Sequence, residues 1–144
     1  MDERTLPIVR DRCHGMLKEQ GYGTIELLTF HTDPVISFKC EGRTLVLVFC
    51  SSDPSYVRFI FPNIWVLDSE NETIKASLIA SEINYSRKCI KVYLSEGKDR
   101  IKEVWASIDF LIQSIDSIDE TILNRYIGLL MHRTQDFAER MGAR

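Results

Sequence analysis

The chain offers few residues that could do chemistry, and the adjacent pair Cys13 and His14 is the first candidate. A thiolate next to an imidazole forms a catalytic pair when the two side chains converge. Neighbouring residues of a helix, however, point about 100° apart. Cys13 also belongs to an apolar stripe with Val9 and Met16. The sequence therefore favours a buried, unreactive thiol over a nucleophile.

The histidines and cysteines show no metal-ligand spacing. His14, His31 and His132 are scattered along the chain, and the sequence contains no C-x-x-C pair that could complete a zinc site. The four cysteines stand singly among apolar residues, at Cys13, Cys40, Cys50 and Cys89. We expect all four to be reduced core residues, and we expect no metal or other cofactor.

A third candidate is the acidic cluster of Asp116, Asp119 and Glu120. Two close carboxyl groups can divide the roles of acid and base. These residues stand at the start of a predicted helix, where negative charge complements the helix dipole. The sequence also contains no phosphate-binding G-x-x-x-x-G-K-[ST] loop and no G-x-S-x-G nucleophile elbow. We therefore predict that the protein is not an enzyme.

Length and composition are typical of one globular domain. The 144 residues are 44% hydrophobic and 27% charged, so residues 1–144 can form a single domain with one core. The net charge of -3 gives no electrostatic reason to bind nucleic acid. No apolar run reaches the roughly 18 residues of a membrane span, and the charged N-terminus is unlike a secretory signal. We expect a cytoplasmic protein that binds neither nucleic acid nor membranes.

The spacing of apolar residues predicts an α+β domain with the element order α-β-β-β-α-β-β-α. The predicted helices span residues 5–20, 70–87 and 117 to the C-terminus, and the predicted strands span residues 35–40, 44–50, 56–61, 89–94 and 100–110. Tight turns are expected at Glu41-Gly42 and Glu96-Gly97, and a linker around Trp65. Residues 24–30 could form an extra strand at a sheet edge or be irregular. An antiparallel sheet with helices packed on one side would bury these faces.

Local signals predict where two of the helices begin and where one ends. Ser69 with Glu72 and Ser117 with Glu120 each form the S-x-x-E pattern of a capping box, in which both side chains bond to backbone N–H groups. Asn84 tolerates the conformations that end helices. A helix can therefore stop near Asn84, at the end of the predicted span 70–87, and the chain can re-enter the sheet, which gives this residue a structural role.

The second helix has apolar residues on two opposite sides. One stripe suits close packing on a sheet and consists of Ala76, Ile79, Ala80 and Ile83. Almost diametrically opposite, at spacings of 4, 3 and 4, lie Ile74, Leu78, Ser81 and Tyr85. One alternative is that the linker around Trp65 or the last helix covers this second set. The other is a two-fold homodimer in which the set packs against its own copy.

The pattern from residue 70 to residue 141 resembles a known family. A helix ending in EIN, residues 82–84, passes directly into KCIKVYL, residues 88–94, and is followed by a charged turn, a strand ending in IDF and a capped last helix. This order is similar to that of the YbjN family, provisionally described as bacterial sensory transduction regulators, which have the fold of type III secretion chaperones. The resemblance implies an acidic, cytosolic, homodimeric α+β domain without catalytic residues.

These observations predict a non-enzymatic protein-binding module, a chaperone- or adaptor-like regulator that acts as a homodimer on an unidentified partner protein. The predicted dimer contacts are Ile74, Leu78, Ser81 and Tyr85. The predicted partner contacts are the exterior strand residues Val35, Tyr56 and Arg58. The alternative is a small-molecule sensor or minor enzyme with a pocket between sheet and helix, lined by Phe38, Phe49, Phe59 and Trp105.

Overall fold

A computed structural model of the chain describes residues 3–87, 89–96 and 102–142. The elements are α1 (Leu6–Glu19), β1 (Gly23–Phe30), β2 (Asp33–Cys40), β3 (Arg43–Phe49), β4 (Tyr56–Leu67), α2 (Glu70–Ser86), β5 (Ile90–Glu96), β6 (Lys102–Leu111) and α3 (Glu120–Gly142). The α+β class and the predicted element order are confirmed, with the early strand included. The predicted turn at Glu96-Gly97 lies partly outside the described residues.

The six strands form one antiparallel sheet in the order β1-β2-β3-β4-β6-β5. The first four strands are a meander, and β1 pairs at its edge with β2. Between β2 and β3, Glu41 and Gly42 both have positive φ, 51° and 77°. Two-residue hairpin turns require this conformation. The turn places Cys40 opposite Arg43, so the predicted tight reversal is confirmed.

The core lies between the three helices and one face of the sheet. Side chains alternate along each strand, so every second residue points to this face. A cross-strand row of buried residues runs through the centre of it, consisting of Ile36, Leu47, Phe59, Ile108 and Ile90. α1 packs on β1 and β2, α2 on β5, and α3 on β4 and β6. The expected arrangement, with one face of the sheet covered by helices, is therefore observed.

Strand β4 continues through the residues that the sequence predicts to be a linker. Its register with β6 shifts between Phe61 and Trp65, so the intervening residues form a bulge. Pro62 has no N–H to contribute to the ladder, and Asn63 has a left-handed φ of 51°. Both features are common at bulges. The linker prediction was wrong because a proline inside an apolar run normally marks the end of a strand.

The start of α2 shows only half of the predicted capping box. The Ser69 hydroxyl accepts a hydrogen bond of 3.1 Å from the backbone N–H of Glu72, as predicted. The Glu72 carboxylate, however, accepts a 2.7 Å bond from the indole N–H of Trp65. The side chain therefore joins α2 to β4, because an indole donor that approaches the core needs an acceptor.

The second predicted capping box is wrong, since α3 begins at Glu120 with Asp119 as its N-cap. The Asp119 carboxylate accepts a 2.8 Å hydrogen bond from the backbone N–H of Ile122. Ser117 instead ends a short 3₁₀ turn and bonds to the backbone N–H of Ser114 at 3.1 Å. Helix capping thus explains Asp119, and Glu120 lies in the first turn of α3, where negative charge complements the helix dipole.

The junction of α2 and β5 depends on the side chain of Asn84. Its Nδ2 donates to the carbonyl of Val92 at 2.8 Å, and the Val92 N–H donates to its Oδ1 at 2.7 Å. The amide therefore pairs with β5 as a neighbouring strand would, at an edge that otherwise exposes backbone groups. α2 itself ends at Ser86, one residue before the predicted end at residue 87, and Asn84 lies in its last turn.

Replacing Asn84 by alanine should lower the free energy of unfolding by about 1–3 kcal/mol, because it removes both bonds to the Val92 backbone. Urea unfolding followed by circular dichroism measures this change. The matched control is Asn71→Ala, at an exposed position in the first turn of the same helix. Equal effects of the two substitutions would show that the Asn84 amide does not hold β5.

Candidate functional site

The face of the sheet opposite the helices carries the predicted partner contacts. The strand register aligns one row across five strands, consisting of Leu28, Val35, Val48, Arg58 and Asp109. We call the helix-free side of the sheet the open face. Val35 and Arg58 are thus members of the same row, with Val48 between them, and Tyr56 lies two residues before Arg58 on β4.

A hydrogen-bonded cluster of Tyr56, Arg58 and Asp109 occupies the end of this row. Arg58 Nε donates to Asp109 Oδ1 at 2.6 Å, and Arg58 Nη2 donates to Oδ2 at 3.3 Å. The Tyr56 hydroxyl donates to Oδ2 at 2.7 Å. The Arg58 guanidinium carbon also lies 5.9 Å from the centroid of the Tyr56 ring, within cation–π range.

These contacts shift the pKa of all three side chains. Partial burial acts to raise the pKa of Asp109, but the hydrogen bonds from Arg58 and Tyr56 outweigh it and hold that pKa below its usual value. The hydrogen bond to Asp109 raises the pKa of both Tyr56 and Arg58. At neutral pH the cluster therefore holds one positive and one negative charge. Its chemistry is that of an ion pair, suited to recognition.

The Asp109→Asn substitution should lower the free energy of unfolding at pH 7 by about 1 kcal/mol, because the Arg58 pair is partly exposed. The folded-state pKa of Asp109 is lowered, so its stabilisation is present above the unfolded-state pKa of about 3.9 and is lost as pH falls through the folded value. The difference in the free energy of unfolding between wild type and Asp109→Asn should therefore shrink below about pH 4.

Urea titrations of both proteins at pH 7 and pH 3 measure this difference. Asp116→Asn is the control, because the side chain of Asp116 is 90% exposed. The control should match wild type at both pH values. A difference between wild type and Asp109→Asn that grows as the pH falls would contradict the assigned pKa direction.

The predicted partner contacts differ in their accessibility. The side chain of Arg58 is 42% exposed, and Tyr56 is half-buried. Val35 lies on the open face but is only 5% exposed, because Leu28 and Val48 flank it across the ladder. The expectation that Val35 is an exterior residue was therefore wrong. Asp109, which joins Arg58 to Tyr56, was missed, because the pairing of β4 with β6 carries no local sequence signal.

None of the described residues covers the second apolar stripe of α2. Ile74 is 53% exposed, Leu78 67% and Tyr85 95%, and Ser81 is also exposed. We call these four residues the outer face of α2. The last helix reaches α2 elsewhere, through an Arg140–Glu82 pair at 3.3 Å and a Lys75 bond to the Met141 carbonyl at 2.9 Å. The alternative in which the linker or α3 covers this face is therefore not what the structure shows.

The free edge of the sheet at β1 is also apolar. Leu27, Leu28 and Phe30 are 44%, 47% and 66% exposed. Among the described residues, β1 pairs only with β2, so the backbone groups on its other side are open to a further strand. Long apolar edges of this kind favour pairing with another chain.

The cysteines are free, but they are not all core residues. Cys13 is buried, and burial raises the pKa of its thiol to about 12, so it stays protonated. Cys40 and Cys50 are half-buried and Cys89 is exposed, which corrects the expectation for these three. Cys89 follows α2 in a left-handed conformation, outside the alternating part of β5. In the ranges that the structure describes, no group of three His, Cys, Asp or Glu residues could hold a metal ion.

The predicted pocket between sheet and helix does not form from the residues named for it. Phe38, Phe49 and Phe59 are fully buried and fill the core. Trp105 is on the opposite side of the sheet, paired with Tyr93. Alternation along β6 separates it from the core side, which Val104 and Ala106 occupy. A pocket lined by all four residues is therefore excluded.

The described helices also bear on the membrane prediction. None of them is both long and apolar enough to cross a bilayer.

Comparison with known proteins identifies the fold. No family model and no curated protein matches the chain. An uncharacterized protein from Methanothermobacter thermautotrophicus has a similar structure, with a TM-score of 0.69 and 7% identity over 93% of this chain and 96% of that one. YbjN from E. coli, provisionally described as a transcription regulator, is similar with a TM-score of 0.62 and 10% identity over 89% and 86%. The chain therefore has a YbjN-like fold.

Proposed function

We propose that this protein is a single-domain, cytoplasmic, non-enzymatic protein-binding module that acts as a homodimer on a partner protein. The observation that carries the proposal is the outer face of α2, with side chains up to 95% exposed on a regular helix. Apolar residues aligned on an exposed helix face are typical of interfaces. The regulator description of the similarly folded YbjN is in keeping with such a role.

A second copy of this chain, related by a two-fold axis, is the simplest partner for the outer face of α2. A two-fold axis needs only one self-complementary patch, and Ile74, Leu78, Ser81 and Tyr85 follow one line along the helix. The face carries no formal charge at neutral pH, so two copies can approach without like-charge repulsion. Tyr85 at the end of the line adds a large aromatic surface with a polar tip.

The partner segment would add to the sheet at β1 and extend over the open face. An added strand gains backbone hydrogen bonds at the edge, while side chains beside it provide specificity. Leu28 and Phe30 line this edge, and the row that begins at Leu28 leads across the sheet to Arg58. We therefore propose an extended, apolar segment of the partner, with a polar group that reaches the Tyr56–Arg58–Asp109 cluster.

Affinity capture from a lysate of the native host tests the proposal. The tagged wild type should recover one protein at near-stoichiometric yield, identified by mass spectrometry. Phe30→Lys should lose it, because a charge replaces an exposed apolar contact at the edge. The matched control is Ile8→Glu, which places a charge at a 55% exposed apolar residue of α1.

Two results would contradict the proposal. Recovery of no protein by any of the three forms would remove the support for a protein-binding function. Equal recovery by Phe30→Lys and wild type would show that the β1 edge is not where the partner binds. Circular dichroism of each variant establishes that the fold is intact before capture.

A further inference from the structure

A cleft of about 510 Å³ lies between the end of α2 and the first half of α3. Its lining combines an apolar floor of Ile122, Tyr126 and Leu129 with three arginines, Arg87, Arg125 and Arg133. Clefts of this size are in the range that holds small organic molecules. We propose that this cleft binds an organic anion with an apolar chain, a carboxylate whose head group meets the arginines and whose chain lies on the floor.

Within the described ranges, two of the three arginines, Arg125 and Arg133, have no ion-pair partner. Arg133 Nε is buried, and the described residues offer it no hydrogen-bond acceptor. A buried donor without an acceptor is costly, so such groups usually indicate a missing partner. Arg125, on the exposed side of α3, has no carboxylate within ion-pair distance in the described ranges. Arg133 thus has one donor without an acceptor among the described residues, and Arg125 offers the cleft a charge that no described carboxylate neutralises.

The third arginine is only weakly neutralised. Arg87 reaches Asp136 at 3.9 Å. The two oxygens of that carboxylate already accept bonds of 3.0 and 3.3 Å from Arg140. Three cations therefore line the cleft, the described lining contains no carboxylate, and the Asp136 carboxylate that Arg87 reaches is shared with Arg140. Arginine pairs well with carboxylates because its planar fork can donate two parallel hydrogen bonds.

The apolar floor is held in place by the core. The Tyr126 ring stacks on Phe110 at 4.4 Å and 12°, and Phe110 stacks on Phe59 at 5.9 Å. A floor fixed in this way needs no reorganisation when an apolar chain covers it, which favours binding. The floor distinguishes the expected ligand from inorganic phosphate or sulfate, which would use the arginines alone. The cleft shares no residue with the outer face of α2 or the open face, so its ligand is independent of the proposed function.

Isothermal titration calorimetry of the full chain with decanoate tests the proposal. Decanoate should bind, and decyltrimethylammonium, which has the same chain length and a positive head, should bind at least about tenfold more weakly because it is repelled by the arginines. Inorganic phosphate, which lacks the chain, should also bind more weakly than decanoate. Saturating decanoate should raise the melting temperature of wild type, because a ligand of the folded state stabilises it.

Two Arg→Glu substitutions, one inside the cleft and one outside it, test whether decanoate binding depends on the cleft. Arg125→Glu should weaken decanoate binding by about tenfold or more, since it replaces a charge-assisted contact by repulsion. Arg43→Glu, at an exposed arginine outside the cleft, should leave the affinity unchanged. Arg133→Gln provides a second variant of the cleft with a smaller change, and it should also weaken binding.

Several outcomes would overturn the proposal. Absence of decanoate binding, or equal affinity for the cationic analogue, would exclude an anion site with an apolar floor. Equal loss of affinity in Arg125→Glu and Arg43→Glu would show a nonspecific charge effect. Phosphate that binds as tightly as decanoate would show that the floor makes no contribution.

Discussion

Replacing Leu78 by glutamate should give a particle of one 16.7 kDa chain, whereas the proposed wild-type dimer should have twice that mass. Leu78 lies in the middle of the outer face of α2 and is 67% exposed, the most exposed aliphatic residue of that face. In a two-fold contact each substitution occurs twice, so two carboxylates would be brought into one apolar interface. Burying unpaired charges costs several kcal/mol each, roughly the free energy that holds small dimers together.

Light scattering coupled to size exclusion, at several protein concentrations, measures the mass directly. Ile8→Glu is the control, because it adds the same charge at a comparably exposed residue of α1 and should leave the mass at two chains. If Leu78→Glu retains the wild-type mass, the outer face of α2 is not the interface. A wild type that is monomeric at high concentration would contradict the dimer itself.

The second large effect concerns the core. Phe59→Ala should lower the free energy of unfolding by about 3–5 kcal/mol, the usual cost of removing a buried aromatic ring. Phe59 is fully buried at the centre of the sheet, and its ring meets Phe38, Phe110 and Tyr126 at centroid distances of 6.5, 5.9 and 6.4 Å. The loss includes these aromatic contacts and a cavity that the surrounding strands cannot fill.

Urea unfolding at pH 7 measures this loss. Phe30→Ala is the matched control, since Phe30 is 66% exposed and its removal should change stability by less than about 0.5 kcal/mol. A decrease of only about 1 kcal/mol in the free energy of unfolding for Phe59→Ala would contradict the prediction, because it would show that neighbouring side chains move in to fill the cavity. Because Phe59 supports Phe110 and Tyr126, the same variant should also weaken decanoate binding at the neighbouring cleft.

The periodicity of apolar residues accounts for most of the fold. Alternation in β6 correctly assigns Val104, Ala106, Ile108 and Phe110 to one face, because a strand turns successive side chains to opposite sides. The stripe of Ala76, Ile79, Ala80 and Ile83 likewise predicts the buried side of α2, whereas the sequence left open whether the opposite stripe is covered. Such predictions succeed because they need only the geometry of one element.

Predictions that depended on neighbouring elements were less accurate. Glu72 bonds to Trp65 and not back to its own helix, and β4 passes through Pro62 because β6 supports it on both sides of a bulge. In each case a contact across the fold replaced the local arrangement that the sequence suggests. Tertiary packing routinely overrides local preference, because a single long-range bond is comparable in free energy to the local one.

The sequence by itself determined most of the residues that face the core, where the main elements lie and that α2 has two apolar sides. Only the tertiary structure decided which side chains meet. Arg58 and Asp109 are 51 residues apart and pair because β4 lies beside β6. Three arginines surround one cleft because the end of α2 lies against α3. Side-chain direction follows from the local backbone, whereas strand order, register and helix docking follow from the packing of the whole chain.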